Sequence, residues 1–261
     1  MAKEKIRLGG MALPNGVLVH GPHAWACAIR HDDGRIEVAS ARKRLRASRI
    51  QNPLLRGPAR LAEALALLPQ IKAKLPAAKL PLESPSTLTS MLGAAVFVRG
   101  LRESSLRPLA RELLSAIASV APAVLALRSG ELAAYHGAEH ISIGSYEHGK
   151  RATREHERCG GHLVGPLVVT AALGNVLAGI APERHRRHAQ AAAQIGAVVV
   201  ATELFGWMTR HPDNLLARAL SKPGHELQHR FSTAEPSDEQ LEVAEAALKA
   251  CLELEHAERA G

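Results

Sequence analysis

Residues 135–162 read Tyr135-HGAEHISIGSYEHGKRATREHERCGG-His162. The stretch holds five of the chain's fourteen histidines, four glutamates and one of its three cysteines. It opens on His136-Gly-Ala-Glu139-His140, an H-x-x-E-H pattern. On a helix, residues four apart lie one turn apart on one face, so two imidazoles reach a common point. That spacing suits a metal ion, and Glu139 beside it suits a general base acting on metal-bound water. The same residues also suit a polar helix end, with histidines capping carbonyls or bonding one another. The pattern points to a metal without naming a reaction.

Outward from this stretch, the chain downstream turns apolar. Leu163 to Ile180 carries no formal charge, at the lower edge of a membrane span. Gly165, Pro166, Gly174, Asn175 and Gly179 interrupt it. Ala189 to Thr202 is a second uncharged run, and Leu113 to Leu127 a third. A packed helical core with close Gly/Ala contacts is the expectation, and a shallow membrane-embedded bundle is the alternative. Glu203 sits in AVVVATELFGW. A carboxylate in such surroundings is paired, ligating or facing a cavity, or is a helix-end group reaching solvent.

Residues 8–40 read as β. A Gly-rich lead-in with turn chemistry at Asn15-Gly16 precedes strands at Val17–His20, Ala24–Arg30 and Arg35–Ala39, with Asp32-Asp33-Gly34 as a hairpin. His20 and His23 flank the bend between the first two strands, turned to the main site or exposed in a loop. A helix over Ala59–Leu68 places Leu61, Leu65 and Leu68 on one face. The proline- and lysine-bearing stretch 69–86 reads as an irregular connection. Helices follow over Thr87–Arg99 and Leu106–Leu127, the second bent at Pro122. His225 and His229 form a second pair four apart. Ser237 and Gln240 suit a capping box that opens a last helix to about Glu258, with Leu241, Val243, Ala244, Ala247, Leu248 and Cys251 as its apolar stripe. The predicted class is α+β, a mostly helical bundle with a small N-terminal antiparallel sheet. One domain over 1–261 is expected: a β-rich region at 1–48, a helical region at 49–134 and the site-bearing helical region at 135–261.

Aromatics make up only 3 %, so Ala, Leu and Val must build the core, which favours helix. It also argues against base-stacking platforms for single-stranded nucleic acid. The net charge of +8 is partly concentrated in Arg42–Arg46 and Arg184–His188. It reads as a solvated basic surface, or as one that meets an anionic partner. Cys27, Cys159 and Cys251 are too scattered for a disulfide framework, which points to a reducing, cytoplasmic setting, with membrane association left open. The N-terminus shows no apolar run of signal-peptide type.

Several blocks together resemble a known family. GGMALPNGVLVHGPHAWACAIRHDDGRI, NPLLRGPARL, YHGAEHISIGSYEHG, HERCGGH and STAEPSDEQLEVAEAAL resemble, in that order, the blocks of the bacterial family known as domain of unknown function 1385. The resemblance carries over Tyr135–His140, Tyr146-Glu147, the His156/Arg158/Cys159/Gly160 block and the Glu235/Pro236/Asp238/Gln240 block. It implies a metal-dependent enzyme with no established reaction. Members look like multi-spanning membrane proteins with a longer apolar insertion ahead of the Tyr-His-Gly-Ala-Glu-His block than Leu113–Ala134 supplies.

The expected metal ligands are His136, His140 and His156, with Cys159 or Glu147 as a fourth. Tyr135, Glu203 and Arg158 are candidates to stand behind them. A thiolate among imidazoles favours zinc. The expected function is hydrolysis through metal-bound water with Glu139 as base, on an unknown small-molecule or anionic substrate. The alternative is a non-enzymatic scaffold with a structural metal or a polar network of His136, Glu139 and His156. Its basic patches would bind RNA, a ribosomal surface or anionic membrane.

Overall fold

Alternation settles the N-terminal region. The computed structural model describes residues 5–128 and 130–260. In it, β1 (Gly9–Leu13), β2 (Gly16–His20), β3 (Ala24–Arg30) and β4 (Ile36–Arg42) form an antiparallel sheet in sequence order. The glycine-rich lead-in is therefore itself a strand, paired from Gly9↔His20 to Leu13↔Gly16. Along β2 and β3, successive side chains face opposite layers. Val17, Val19, Ala26 and Ala28 join one core cluster; Leu18, Trp25, Cys27 and Ile29 join the other. Both faces are covered, which is why these strands read as near-continuous apolar runs.

One face packs on α4 (Gly130–His148) and α8 (Asp238–Ala260), through Leu132, Tyr135, Ala138 and Ile143 of the first and Val243, Ala244, Ala247 and Cys251 of the second. The other packs on the C-terminal half of α1 (Pro53–Lys74), through Leu67 and Ile71. α8 begins at the expected capping box: Ser237 N–H donates to Gln240 Oε1 at 2.9 Å, and Gln240 N–H to Ser237 Oγ at 3.3 Å. Among the described residues the class is α+β, with eight α-helices beside the one small sheet.

The reading of α1 needs correction. The helix runs from Pro53 through Pro58 and Pro69 to Lys74, so much of the expected irregular connection is helical. Its inward face is Glu63, Leu67 and Ile71, whereas Leu61 and Leu65 are 44 % and 50 % exposed. The cause is an ion pair: buried Glu63 binds Lys43, from just beyond β4, and accepts from Ala47 N–H. A buried charge must be paired, so the helix turns its glutamate inward and its leucines out.

The apolar helices pack on one another through the expected small residues, but little of their surface is buried within the protein. α2 (Pro85–Arg102) packs on α3 (Pro108–Leu127), α3 on α5 (Val164–Gly179), and α5 on α6 (Glu183–Arg210); α3 runs on through Pro122. Within this layer α5 buries only Pro166, Ala172 and Ala178, and α6 only Ala197, Ala201 and Met208. Val169, Leu173, Leu177, Ile195 and Val200 are exposed. Helices contact through small residues, as where a Cβ on Gly174 would stand 3.2 Å from Ala193 Cβ. Three segments, Pro108–Leu127, Gly160–Gly179 and Glu183–Arg210, are long and apolar enough to cross a membrane. α7 (Leu215–Leu227) then returns the chain to the sheet side, and a π-turn over Gln228–Ser232 follows it.

α4 is buried on every side from Leu132 to Gly144. Gly137 and Gly144 are contact points: a Cβ on Gly137 would stand 2.1 Å from the Ala234 carbonyl oxygen. Gly137→Ala is expected to cost about 1–3 kcal/mol, lowering Tm by several degrees. Gly93→Ala on α2, where a Cβ would meet nothing within 4 Å, is expected to be neutral or slightly stabilising. Thermal unfolding of both variants, followed by circular dichroism, checks the contrast; equal shifts would refute it.

Candidate metal centre

His136 and His140 lie one turn apart on α4, with ring centroids 4.3 Å apart. Each ring is fixed by its Nδ1. His136 Nδ1 is 2.7 Å from the Ser232 carbonyl oxygen, and His140 Nδ1 is 2.7 Å from that of Arg154. A carbonyl oxygen only accepts, so both Nδ1 atoms carry the proton and both Nε2 atoms keep a free lone pair. Cys159, in the loop after α4, places Sγ 3.4 Å from His136 Nε2. His136, His140 and Cys159 are all buried and each offers a ligand atom within 4.8 Å of the others. On a tetrahedral zinc, a nitrogen and a sulfur ligand stand about 3.5 Å apart, so the donor set and spacing fit.

Burial sets the protonation. It lowers the His136 pKa, and it lowers that of His140 further, with His136 adding to the effect. Both rings are therefore neutral, as ligands must be. Burial pushes the Cys159 thiol up to about 12; the Gly161 N–H donated to Sγ at 3.3 Å acts the other way. Burial also raises Glu139 to about 7. Its Oε2 lies 4.0 Å from His136 Nε2. Gly10 of β1 covers the carboxyl so closely that a Cβ there would stand 2.4 Å from Oε1. The glycine-rich strand is thus shaped to the glutamate.

The other predicted residues have different surroundings. His156 lies beside the cluster, its ring centroid 5.6 Å from that of His140, but its Nε2 is 3.1 Å from Glu147 Oε2. Glu147 also binds Arg158. It is the partner of that pair, and the three-residue cluster does not include it. Tyr135 is corrected: its ring belongs to the core against the sheet. Glu203 is corrected too, because Arg56 of α1 holds it with two donors, Nε at 2.7 Å. His20 accepts from Lys43 Nζ at 3.0 Å, the His23 backbone N–H donates to Glu255, and the three-residue cluster includes neither histidine. The second histidine pair is exposed: His229 Nδ1 is 2.6 Å and His225 Nε2 3.6 Å from Glu155.

Sequence reasoning missed His162, Gln228 and the two carbonyls. Gln228, fully buried, accepts His156 N–H on Oε1 at 2.9 Å and turns Nε2 toward His162 Nε2 at 3.4 Å. Its place depends on the π-turn that also delivers the Ser232 carbonyl, and no spacing pattern announces such a turn. His162 closes the same H-E-R-C-G-G-H block as Cys159, which was the available signal.

The fold and site define a protein with a sheet-backed, buried His/His/Cys cluster joined to a layer of apolar helices. Residues 128–254 match the family described as Protein of unknown function (DUF1385), and that part of the chain belongs to the family. The resembling blocks before residue 128 lie outside the matched stretch. No curated protein and no solved structure matches the chain.

All three cysteines are buried, and burial pushes each thiol to about 12. At pH 8 about one thiol in ten thousand is then thiolate. In native protein a disulfide-exchange reagent is expected to titrate under about 0.1 thiol per chain in an hour, and all three after unfolding. Rapid stoichiometric labelling of native Cys159 would contradict the burial argument.

Proposed function

We propose that the chain is a membrane-embedded, metal-dependent hydrolase whose ion, most naturally zinc, is held by His136, His140 and Cys159. The observation that carries this reading is the pair of Nδ1–carbonyl bonds, which turns two neutral Nε2 atoms toward one thiol. Orientation of ligand imidazoles by carbonyls is a recurrent feature of metal sites. When bound, a divalent ion supplies a Lewis acid and makes water nucleophilic at neutral pH. Glu139 is the base of the proposal. Its raised pKa matches proton exchange near pH 7, and its modest distance from His136 keeps it within reach of a group held by the cluster. Glu147 and Arg158 hold His156 at the cluster's edge.

The membrane reading rests on α3, α5 and α6. A 20-residue apolar helix is about 30 Å long, the thickness of the hydrocarbon layer. Between 17 % and 22 % of each apolar window is buried within the protein, which leaves most of it for lipid. Arg184, Arg186 and Arg187 are exposed at the start of α6, where they suit phosphate headgroups.

One observation favours a second reading. His156 and His162 line the large cavity beside the site, but His136, His140 and Cys159 do not. A closed site, with Glu139 or His156 as fourth ligand, would be structural and would pin α4 to the Cys159 loop.

Elemental analysis of purified full-length protein is expected to give about one zinc per chain, falling below about a fifth of that in His136→Ala and His140→Ala. Equal content in all three refutes the centre. Glu139→Gln is expected to keep the metal and to lose at least about a hundredfold of any hydrolysis of chromogenic phosphate and carboxylate esters; loss of metal in that variant would favour the structural reading. The wild-type chain is expected to stay in membranes washed with alkaline carbonate, and its release there would refute embedding.

A further inference from the structure

The apolar layer has two ends. α5 and α6 form an antiparallel hairpin across residues 180–182: Thr170 Oγ1 donates to the Ala197 carbonyl at 3.1 Å, and Gln194 Nε2 to Asn175 Oδ1 at 2.8 Å. α2 and α3 form another across residues 103–107, since so short a connection joins antiparallel neighbours. Arg128, just after α3, lies over the Phe231 ring of the π-turn, and Gly165 of α5 faces the Leu220 carbonyl of α7. α3 therefore ends, and α5 begins, on the side of the His/His/Cys cluster. The turns 103–107 and 180–182 share the far end.

α2 starts near the sheet, since Leu80, five residues before it, packs on the core there. It ends at the far turn. It traverses the layer in the direction opposite to α3, although Ser86, Thr87, Thr89 and Ser90 dilute its apolar character. Four helices, not three, run between the two ends.

The far end is strongly basic. Arg99 pairs with Glu103, and Arg111 with Glu112. Arg102, Arg107, Arg184, Arg186 and Arg187 are exposed, and among the described residues none of them has an ion pair. Within residues 99–112 and 180–188 the only other carboxylate is Glu183, so five arginines against one acid leave an excess of four positive charges. Exposed apolar side chains adjoin them: Leu106 and Leu109 on either side of Arg107, and Leu177 and Ile180 ahead of Arg184.

Helix length sets the depth. α6 has 28 residues and is about 42 Å long, about 12 Å more than the hydrocarbon layer. Its charged part, Glu183–His188, precedes the uncharged run that starts at Ala189, so surplus length stands at the far end, among headgroups. Successive residues turn by about 100°, so Arg184, Arg186 and Arg187 point to different sides of α6. A nucleic acid or an acidic protein would meet the arginines and leave Leu106, Leu109, Leu177 and Ile180 in water. A bilayer takes both.

We infer that this far end is a binding rim for acidic phospholipid, its arginines gathering anionic headgroups while the adjoining leucines and Ile180 lie among acyl chains. The inference rests on the membrane reading above, is independent of the metal, and adds the class of lipid the protein selects.

The test uses full-length protein, delipidated in a non-ionic detergent. It is exposed to equimolar phosphatidylglycerol and phosphatidylcholine and washed, and the retained lipid is measured by mass spectrometry. Phosphatidylglycerol is expected to be enriched at least about threefold, less so as salt rises from about 50 to 500 mM. Arg102→Gln/Arg107→Gln and Arg184→Gln/Arg186→Gln/Arg187→Gln are each expected to reduce the enrichment, and their combination to bring it to about parity. Lys150→Ala/Arg151→Ala, at the other end, is expected to keep it. All these side chains are exposed, and if the combined variant does not fold its two halves carry the test. Equal retention of the two lipids, far-end variants without effect, or binding of an RNA oligonucleotide without lipid preference would overturn the inference. Wild-type chain that stays in carbonate-washed membranes but shows no lipid preference overturns the rim alone; release from those membranes removes the membrane reading and the rim with it.

Discussion

The burial of α4 is the constraint on which the rest of the site depends. A helix packed on all sides has no water to satisfy its polar side chains, so each must find a protein partner or accept a cost of a few kcal/mol. His136 and His140 find theirs in carbonyls from two separate segments, the π-turn after α7 and the loop after α4. Those segments are tied to each other as well, since Gln228 accepts from His156 N–H and Arg154 donates to the Thr233 carbonyl. The ring orientations therefore do not rest on α4 alone. They are properties of a three-segment clamp, and only small residues such as Gly137 and Gly144 let the clamp close.

Much of this architecture was legible wherever one physical rule acted alone. Apolar runs bounded by turn residues located β2 and β3, and the helical period put His136 and His140 on one face. Reciprocal donor-acceptor chemistry placed the start of α8 at Ser237. Legibility failed where two rules competed. On α1, the leucine spacing and the need to pair Glu63 with Lys43 pulled toward opposite faces, and the ion pair won. Glu203 stood out because its neighbours are apolar, and of the readings open to it pairing is the one observed. The residue that claims it, Arg56, lies 147 positions away in sequence. Glu147 was one of two candidates for a fourth ligand, while Arg158 and His156 are the groups that bind it. The carbonyl of Ser232 has no sequence signature at all, since every residue carries one.

The Arg56–Glu203 pair shows how the apolar layer is joined to the sheet. Both side chains are 28 % exposed, and the guanidinium meets the carboxylate with two donors. In water such a pair contributes little. Its role is one of position: it bridges α1 and α6 from residues 147 positions apart in sequence. Beside it, Gly57 approaches Thr202 so closely that a Cβ would stand 2.0 Å from Oγ1. The N-terminal half of α1 is thus fastened to α6 while its C-terminal half lies under the sheet. A single helix couples the two layers, and Pro58, next to the junction, removes one backbone hydrogen bond where α1 changes surroundings.

Whether the cluster performs chemistry or only holds the fold turns on His156 and His162, because these two residues stand between the buried ligands and the cavity. His156 is restrained by Glu147, Gln228 and the Arg158 backbone N–H, which donates to its Nδ1 at 3.3 Å. So many partners suit a fixed wall. His162 has Gln228 beside its Nε2, and its Nδ1 is buried without a hydrogen bond, as are Trp25 Nε1 and Ser142 Oγ in the core. An unpaired buried donor is therefore shared with purely structural positions, and the difference between the two histidines lies in how many partners hold each ring.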